Sequence, residues 1–463
     1  MNGRQVTRIW ALAGALVLAF FGLSTTAQPI QLVRSQKTTI GLASGINILV
    51  GQVTVRQGTA TVSCDSVWWD TRSQRFTAHG QVVYRKGKGQ TVRSRNLTYD
   101  QVLAYFTGNV RAEQDRTIIQ TESLSVLVAD GTARWTQGAK IQLTDGTLTC
   151  RTGVLNSKSG VHRFEKSVVL LQKDGELRSE WVEYDERTQW AWIRSAGELK
   201  RDSTQLTFSA GRWNSKQEEG LFWGSAVARQ PHSTVSGDTL MIQEEGWSSR
   251  GRAHLFNWQR NDSLALHADR LDARNQQWLA GPRAQFWTPD FQASADSMVY
   301  KQKDSTLLFL RQSKPPVAFS GAYQIQSDTL YMVWRSGRSD SLYMGGNPII
   351  SGWNDSNLVD QMVGKRAHVF FASTGLEQVI IRRNAQARYH TWDKSKYLGI
   401  NSITGPVLIL DFIESSLDRV RVNGSTSGVL EPSDPQGPAQ PLPGYLDRRA
   451  EQLCRTEAIS GRK

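Results

Sequence analysis

Apolar and polar residues alternate along most of this chain, and the alternation comes in pairs of runs separated by short polar turns. The clearest example is Thr91–Gln114, where Leu97 and Tyr99 alternate with polar neighbours. After a break at residues 100–101, a second alternating run extends over residues 106–112. A period of two places every second side chain on one face of a strand. This unit therefore predicts two half-buried β-strands joined by a tight turn.

The two-strand unit recurs along the chain at a nearly constant spacing. The apolar residue that marks its first strand returns every 27 to 32 residues. A period near 29 residues is typical of a stacked array, in which no single repeat can bury its apolar face alone. The ten marker positions are Val67, Leu97, Leu124, Val154, Val182, Trp213, Leu240, Leu271, Met298 and Leu330.

Connections between the predicted strands are short, and several contain Asp-Gly pairs, which favour tight hairpins. Short connections indicate antiparallel neighbours, because parallel strands need long crossovers. No segment shows sustained helical periodicity. The sequence therefore predicts an all-β fold, an antiparallel repeat β-jellyroll that can also be described as a V-shaped β-solenoid.

A glycine opens the second strand of many repeats. In a strand, glycine usually marks a bulge or a bend. Its regular recurrence favours strands that fold across a corner between two faces, and a plain turn glycine is the alternative. The recurring positions are Gly80, Gly108, Gly224, Gly251, Gly281 and Gly346.

Four regions are predicted along the chain. Residues 1–27 are a secretory signal, residues 28–356 a β-repeat domain, residues 357–431 a C-terminal β module with a 41-residue duplication, and residues 432–463 a tail. The tail contains five of the chain's 13 prolines, which disfavours regular strand pairing. Its charged end, Asp447–Lys463, predicts a short amphipathic helix that binds a partner.

The predicted signal has the three parts expected of a secretory leader. Arg4 and Arg8 form a basic start, Ile9–Leu23 is apolar, and residues 24–27 are small. The apolar stretch of 15 residues is shorter than the roughly 20 that a transmembrane helix needs. We expect export to the periplasm as a soluble protein, with outer-membrane association or an uncleaved anchor as alternatives.

Charge favours polyanionic partners. The formal net charge is +13, and removal of the two arginines before residue 28 leaves +11. A basic exported protein suits phosphorylated glycolipids or anionic surfaces, although a solvated basic surface without a specific partner is the alternative. Nucleic acid is not expected, because no recognition motif is present.

Candidate chemistry is sparse. The seven histidines are scattered without the spacing of metal ligands on one strand face, and no nucleophile or phosphate-binding motif is present. Repeated acids next to hydroxyl residues are expected to cap turns locally, at Asp65, Asp238, Asp269, Asp296 and Asp328. We therefore expect no enzymatic activity, no metal and no cofactor.

Cys64 and Cys150 occupy equivalent places three repeats apart, too distant for a disulfide.

The repeat pattern from Val53 to Val422 resembles the OstA-like family of periplasmic lipopolysaccharide-transport proteins. The resemblance is carried by the runs CDSVWWD at 64–70, FTAHGQV at 76–82 and SRNLTYD at 94–100. Segments 369–387 and 400–428 are similar to the end of the long OstA-like form. The resemblance implies lipopolysaccharide or lipid A as the ligand. It also implies partnership with other transport components of the inner and outer membranes, and end-to-end self-association.

An array of alternating strands folded into a tube offers an apolar groove, where each buried CH₂ of an acyl chain gains about 0.8 kcal/mol. We therefore expect a non-enzymatic protein that shields acyl chains of lipopolysaccharide and helps bridge transfer to the outer membrane. The alternatives are a surface or structural β-solenoid (an adhesin) with a packed core, and a polysaccharide-acting enzyme. The expected lipid-lining residues are Val67, Trp69, Val82, Leu97, Tyr99, Val110, Val182, Leu240, Leu271, Met298 and Leu330.

Overall fold

The computed structural model describes residues 29–460 apart from 88, 174, 215, 260–261, 336–337, 354–357, 373–374, 394–395, 415 and 433–440. The predicted signal at residues 1–27 lies outside the described residues. The described chain is almost entirely antiparallel β-sheet, which confirms the predicted all-β repeat fold. Its helices are a 3₁₀ turn at Arg449–Glu451 and one α-helix, α1, at Arg455–Ser460. Among these residues, no helix is both long and apolar enough to span a bilayer.

Two compact units divide the chain between Ala226 and Val227. We call them the N-terminal unit and the C-terminal unit. Strand β19 contains the division. The strands up to this point are β1 (Gln31–Arg34), β2 (Lys37–Ile40), β3 (Ile46–Gln57), β4 (Ala60–Asp70), β5 (Arg75–Lys86), β6 (Gln90–Tyr99), β7 (Leu103–Gln114), β8 (Thr117–Leu127), β9 (Ala133–Trp135), β10 (Ala139–Leu143), β11 (Gly146–Cys150), β12 (Thr152–Asn156), β13 (Val161–Gln172), β14 (Gly175–Asp185), β15 (Trp190–Ile193), β16 (Gly197–Arg201), β17 (Thr204–Phe208), β18 (Ala210–Asn214) and β19 (Glu219–Gln230).

The strands of the C-terminal unit follow the same pattern of long hairpins and short, split strands. They are β20 (Ser233–Gln243), β21 (Gly246–Gln259), β22 (Asp262–Arg274), β23 (Gln277–Ala280), β24 (Ala284–Trp287), β25 (Gln292–Ala295), β26 (Ser297–Lys301), β27 (Thr306–Leu310), β28 (Val317–Ser320), β29 (Tyr323–Gln326), β30 (Thr329–Arg335), β31 (Arg338–Gly345), β32 (Ile349–Trp353), β33 (Val359–Val363), β34 (Arg366–Ala372), β35 (Gly375–Asp393), β36 (Lys396–Ile413), β37 (Ser416–Asn423) and β38 (Ser427–Glu431).

In the N-terminal unit, each long strand contributes to two half-sheets. The strands β3 to β8 pair in sequence order, and their register shifts near the middle of each strand. Half-sheet A runs through residues 46–50 of β3 and contains the short strands β9, β12, β15 and β18. Half-sheet B runs through residues 53–57 of β3 and contains β10, β11, β16 and β17. The inner faces of A and B meet where the ring of Tyr84 lies 6.0 Å from that of Phe106.

The C-terminal unit has the same arrangement. Half-sheet C contains β24, β25, β28, β29, β32 and β33, and half-sheet D contains β23, β26, β27, β30, β31 and β34. Their inner faces are packed against each other, since Phe286 of half-sheet C lies 6.3 Å from Phe309 of half-sheet D between ring centroids. Both rings are buried. The interior of this unit is thus filled by aromatic side chains at this level.

The recurring glycines lie at the corners between half-sheets. Gly80 and the following Gln81 have φ of 73° and 42°, and the register of β5 shifts at this pair. Left-handed backbone at two successive residues makes a bulge that redirects the strand, and the first residue favours glycine because it has no Cβ. The corner interpretation is therefore confirmed in preference to the plain turn. The same left-handed pair occurs without glycine at Lys166-Ser167 and Arg383-Asn384, positions that a search for glycine misses.

Acidic residues bind the backbone of these corners. Glu180 accepts a hydrogen bond from the backbone N–H of Ser167 (3.0 Å), and Asp296 accepts from Gln312 and Ser313 (2.6 Å each). The expectation that Asp296 caps a turn locally is wrong, because its partners lie 16 and 17 residues further along the chain. Three of the repeated acids instead form ion pairs with arginines. These pairs are Asp238–Arg252, Asp269–Arg283 and Asp328–Arg311.

The two cysteines of the N-terminal unit are separated as expected. Cys64 on β4 and Cys150 on β11 are buried free thiols. Five strands of half-sheet B, β5, β6, β7, β8 and β10, lie between β4 and β11. Burial raises the pKa of each thiol to about 12, so both remain protonated at neutral pH.

Candidate functional site

An apolar cavity of about 620 Å³ lies between half-sheets A and B near the start of the N-terminal unit. It forms because the period-two alternation points the apolar residues of both half-sheets at each other. Its volume falls within the range of about 300–1,000 Å³ that is usual for ligand pockets. Half-sheet A contributes Phe76, Leu97, Tyr99, Ala104, Phe106 and Val126, and half-sheet B contributes Val55, Val62, Tyr84 and Lys86. Ile30 and Val102 also line it.

Aromatic rings form two contacts along this cavity. Within half-sheet A, the rings of Phe76 and Tyr99 are 5.1 Å apart, and they face each other on neighbouring strands in register. Across the half-sheets, the rings of Tyr84 and Phe106 meet edge to face. Packed aromatic pairs of this kind fix ring positions. The cavity therefore has a defined wall.

Polar side chains also line the cavity, among them Arg56, Gln57, Gln74 and Lys86. The hydroxyl of Tyr99 donates a hydrogen bond to Oε1 of Gln57 (2.8 Å), which links half-sheet A to half-sheet B. The Nζ atom of Lys86 is buried and has no hydrogen-bond partner among the residues that the structure describes. Burial lowers the pKa of this ammonium group and raises the pKa of the Tyr84 phenol, which therefore stays neutral at pH 7. The site thus combines apolar walls with two cationic residues, Lys86 and Arg56.

This arrangement can bind an amphiphile but offers little chemistry. An apolar chain can fill the space between the half-sheets, and the Lys86 ammonium can meet an anionic group on it. Within the described ranges, no group of three or more His, Cys, Asp or Glu residues is placed to hold a metal ion. The geometry is that of a binding site for a molecule with an apolar part.

Two residues expected from the sequence to line a lipid site, Leu97 and Tyr99, do line the cavity. The others face the interior of their own unit, in its packed walls. Val67 and Val182 belong to one row of half-sheet A that also contains Leu97 and Phe106. Trp69 lies beside Phe76 on half-sheet A, and Val82 and Val110 lie near the corners of half-sheet B. The remaining expected residues lie in or beside one row of half-sheet D, and they are Leu240, Leu271, Met298 and Leu330.

One marker position is wrong by a residue. Val154 is half-buried and lies on the outer face of β12, whereas Gly153 continues the inner row between Trp135 and Phe164. A Cβ atom at Gly153 would lie 2.0 Å from Cζ2 of Trp135. The indole of Trp135 therefore fills the space that an apolar side chain occupies in other repeats. A search for apolar marker residues does not find the inner position of this repeat, because a glycine occupies it.

Several cavity residues are not among the lining residues expected from the sequence. Phe76 and Tyr84 follow the alternation of β5, and Phe106 opens the second run of the clearest repeat. Pairing register could have identified Phe76 and Phe106, since they face Tyr99 and Leu97 directly. The burial of Lys86 Nζ has no signal in the local sequence pattern.

Residues 29–180, about a third of the chain's length, match the model of the family described as OstA-like protein. No curated protein matches the chain. Among solved structures, similarity is found to LptH of Pseudomonas aeruginosa, described as the LptA-homologous periplasmic component of the conserved lipopolysaccharide transport device. That match has 13% identity, covers 24% of this chain and 83% of LptH, and has a TM-score of 0.23. Residues 29–180 are similar to the OstA-like family, in agreement with the motifs at 64–100, and this stretch contains every residue of the cavity.

Proposed function

We propose that this chain is a non-enzymatic periplasmic lipid-transport protein that shields acyl chains of lipopolysaccharide and helps bridge their transfer to the outer membrane. The observation that carries the proposal is the apolar cavity between half-sheets A and B, which lies wholly within the OstA-like residues 29–180. In this proposal the acyl chains lie between the half-sheets. The sugar and phosphate groups stay outside, near the basic surface of a chain with net charge +13.

The energetics favour binding without any reaction. Each CH₂ group removed from water contributes about 0.8 kcal/mol, so about ten methylenes in the cavity would contribute roughly 8 kcal/mol, the free energy of micromolar binding. Lys86 adds an ammonium group whose pKa is lowered because burial disfavours its charge. An anionic group on the lipid would relieve this penalty by pairing with it. The site thereby favours anionic amphiphiles over neutral ones.

The remaining expected lining residues belong to the same proposal. The row with Leu271, Met298 and Leu330 faces half-sheet C and is buried, so it would contact lipid when the half-sheets part. A packed interior such as the Phe286–Phe309 contact is also what a structural β-solenoid would contain. That alternative predicts no capture of acyl chains anywhere in the chain.

End-to-end self-association and partnership with other transport components of the inner and outer membranes are also proposed. All five residues of β38 are exposed, and within the described chain β38 pairs only with β36. The first strands, β1 and β2, are exposed as well and pair only with β3 among these residues. Exposed edge strands can extend a sheet into a partner by backbone pairing.

Filling the cavity tests the proposal. Ala104 lines the cavity, whereas its neighbour Tyr105 is 41% exposed on the outer face. We expect Ala104→Trp to abolish photo-crosslinking of the purified protein by a diazirine fatty acid, because the indole takes the space of the chain. Tyr105→Trp, the matched control, should crosslink like the wild type. Equal crosslinking of both variants, or none in the wild-type protein, would contradict acyl binding in this cavity.

The role of Lys86 has its own test. Lys86→Met keeps the length and apolar stem of the side chain and removes the charge. The variant should lose about tenfold in affinity for a fatty acid and little for the corresponding alcohol, because a bond to a charged group contributes roughly 1.5–3 kcal/mol. Titration of both ligands against tryptophan fluorescence measures the difference. An equal loss for both would show that Lys86 acts only by packing.

A further inference from the structure

The C-terminal residues 441–460 lie on the outer face of half-sheet C. We call this segment the strap. Phe286 on β24 points inward to half-sheet D, where its ring meets that of Phe309. The next residue, Trp287, lies on the opposite face of the strand and packs against Leu453 of the strap. The predicted short helix therefore exists, as α1, but it packs on strands of its own chain.

A row of side chains crosses half-sheet C beneath the strap. Backbone pairing places six residues side by side on six successive strands, so all six share the outer face. Every second member of the row is a glutamine. In strand order from β24 to β33 the row is Trp287, Gln292, Phe319, Gln324, Ser351 and Gln361.

Each of these glutamines accepts a hydrogen bond from a backbone N–H of the strap. Gln361 accepts from Leu442 (2.6 Å), and Gln324 accepts from Arg448 (2.9 Å). Gln292 accepts from Leu453 (2.8 Å). The strap therefore follows the row across the strands, and successive contacts are two strands apart.

Strap carbonyl groups are bound as well. The side-chain amides of Gln324 and Gln326 both donate to the carbonyl of Leu446, at 2.7 and 2.5 Å. The Nε2 atoms of His254 and His267 both lie within hydrogen-bond distance of the carbonyl of Ala458, at 3.1 and 2.9 Å. Five main-chain groups of the strap are thus bound by side chains of the sheet.

Apolar pockets hold only a few strap side chains. Leu453 and Ala458 are buried against Ala265 and Trp287, and Leu442 is buried above Gln361. The guanidinium of Arg449 stacks over the ring of Trp353, 4.5 Å from its centroid, which adds a cation–π contact. Most of the recognition is therefore directed at the backbone, with leucine and alanine as anchors.

We infer that the outer face of half-sheet C is a polypeptide-binding site, which this chain fills in cis with its own strap, including the 3₁₀ turn and α1. Side-chain amides bind main-chain groups whatever the peptide sequence, so the three anchors set the specificity. The ligand class is a peptide with leucines eleven residues apart and a small residue five positions further on, as at 442, 453 and 458. A segment with this pattern in another polypeptide can compete with the strap.

The test uses the full chain with a protease site inserted within residues 433–440. After folding and cleavage, the strap is held by non-covalent contacts alone, and a fluorescent synthetic peptide of residues 441–460 is added. We expect saturable exchange, seen as a rise in fluorescence anisotropy, and competition by unlabelled peptide. If the cut strap never exchanges, or if cleavage unfolds the C-terminal unit, the segment is part of the core and the inference fails.

Two changes test whether the outer face of half-sheet C recognises the main chain of the strap peptide. A peptide N-methylated at Leu453 lacks the N–H that binds Gln292 and should compete about tenfold less well, since the half-buried amide oxygen of Gln292 loses its partner. In the protein, Gln324→Leu should weaken peptide binding by about tenfold or more. Gln277→Leu, an exposed site on half-sheet D, is the matched control and should have no effect. Full competition by the methylated peptide would overturn main-chain recognition.

Discussion

Replacing the corner glycine Gly80 by alanine should loosen the strands on either side of it. Gly80 has a φ of 73° and opens the bulge that carries β5 from half-sheet A to half-sheet B. A Cβ atom at this position would lie 2.1 Å from Oδ2 and 2.9 Å from Cβ of Asp65 on the neighbouring strand. Two separate penalties therefore apply, one from the backbone and one from the contact.

Their sizes can be estimated separately. Left-handed backbone costs an L-residue about 1–2 kcal/mol, and the lower entropy of the unfolded alanine chain returns about 0.4–1 kcal/mol. The exposed carboxylate of Asp65 can rotate away, but its Cβ is fixed by the strand, so the contact adds roughly 1–2 kcal/mol. The net loss for Gly80→Ala should be about 2 kcal/mol.

Hydrogen exchange followed by mass spectrometry measures this loss locally. Peptides from β4, β5 and β6 should exchange about 30-fold faster in Gly80→Ala, because 1.36 kcal/mol corresponds to a factor of ten. Peptides from β16 and β17, distant in half-sheet B, should be unchanged. The double variant Asp65→Gly with Gly80→Ala removes the contact and keeps the strained backbone, so it should show a smaller effect relative to Asp65→Gly alone. Unchanged exchange in Gly80→Ala would refute the corner as a constrained element.

Three further predictions address the interior, the strap and the thiols. A photo-crosslinker at Leu240 should capture lipopolysaccharide in cells while one at Thr239 should not, since adjacent strand residues face opposite sides; labelling at Thr239 alone would favour a packed solenoid. Burial and the neighbouring His267 ring lower the pKa of His254 to about 4. Stability should therefore fall by up to about 3 kcal/mol as pH drops from about 6.5 to 4, because only the unfolded chain readily takes up the proton; urea unfolding of His254→Gln should lack this loss. Native protein should react with a thiol reagent at one of its three cysteines, Cys454, and at all three in urea; a second native thiol would contradict the burial.

The repeat fold could be read from the sequence because its signals are local. Alternation placed Leu97 and Tyr99 on the inner face, and the recurring glycines marked corners such as Gly80. Corners formed by Lys166-Ser167 were not visible, because there the acid Glu180 on the next strand binds the backbone N–H of Ser167, which is a non-local contact. The inner place of Gly153 was hidden for the same reason, since its neighbour Trp135 supplies the bulk.

The cavity and the strap depend on contacts far apart in sequence. Tyr99 reaches Gln57 across 42 residues, and Arg448 reaches Gln324 across 124. Contacts at these separations produce no periodic pattern in the amino-acid sequence. The glutamines of the row lie on strands of four or five residues. Strands this short contain too few alternating positions to indicate that both faces of half-sheet C are buried. The charged end of the tail predicts a partner, because no local pattern indicates that this segment packs on half-sheet C of its own chain.

The constant repeat length has a consequence for size. Each repeat adds two strands to a half-sheet, and neighbouring strands are about 4.8 Å apart, so each repeat lengthens the interior of its unit by roughly 10 Å. The number of repeats therefore determines the length of the interior, whichever apolar residues occupy each repeat. Insertion or deletion of a repeat would therefore change the length of the half-sheets in steps of about 10 Å. Proteins built from such repeats can thus differ in the length of their interior while the width of each half-sheet pair stays the same.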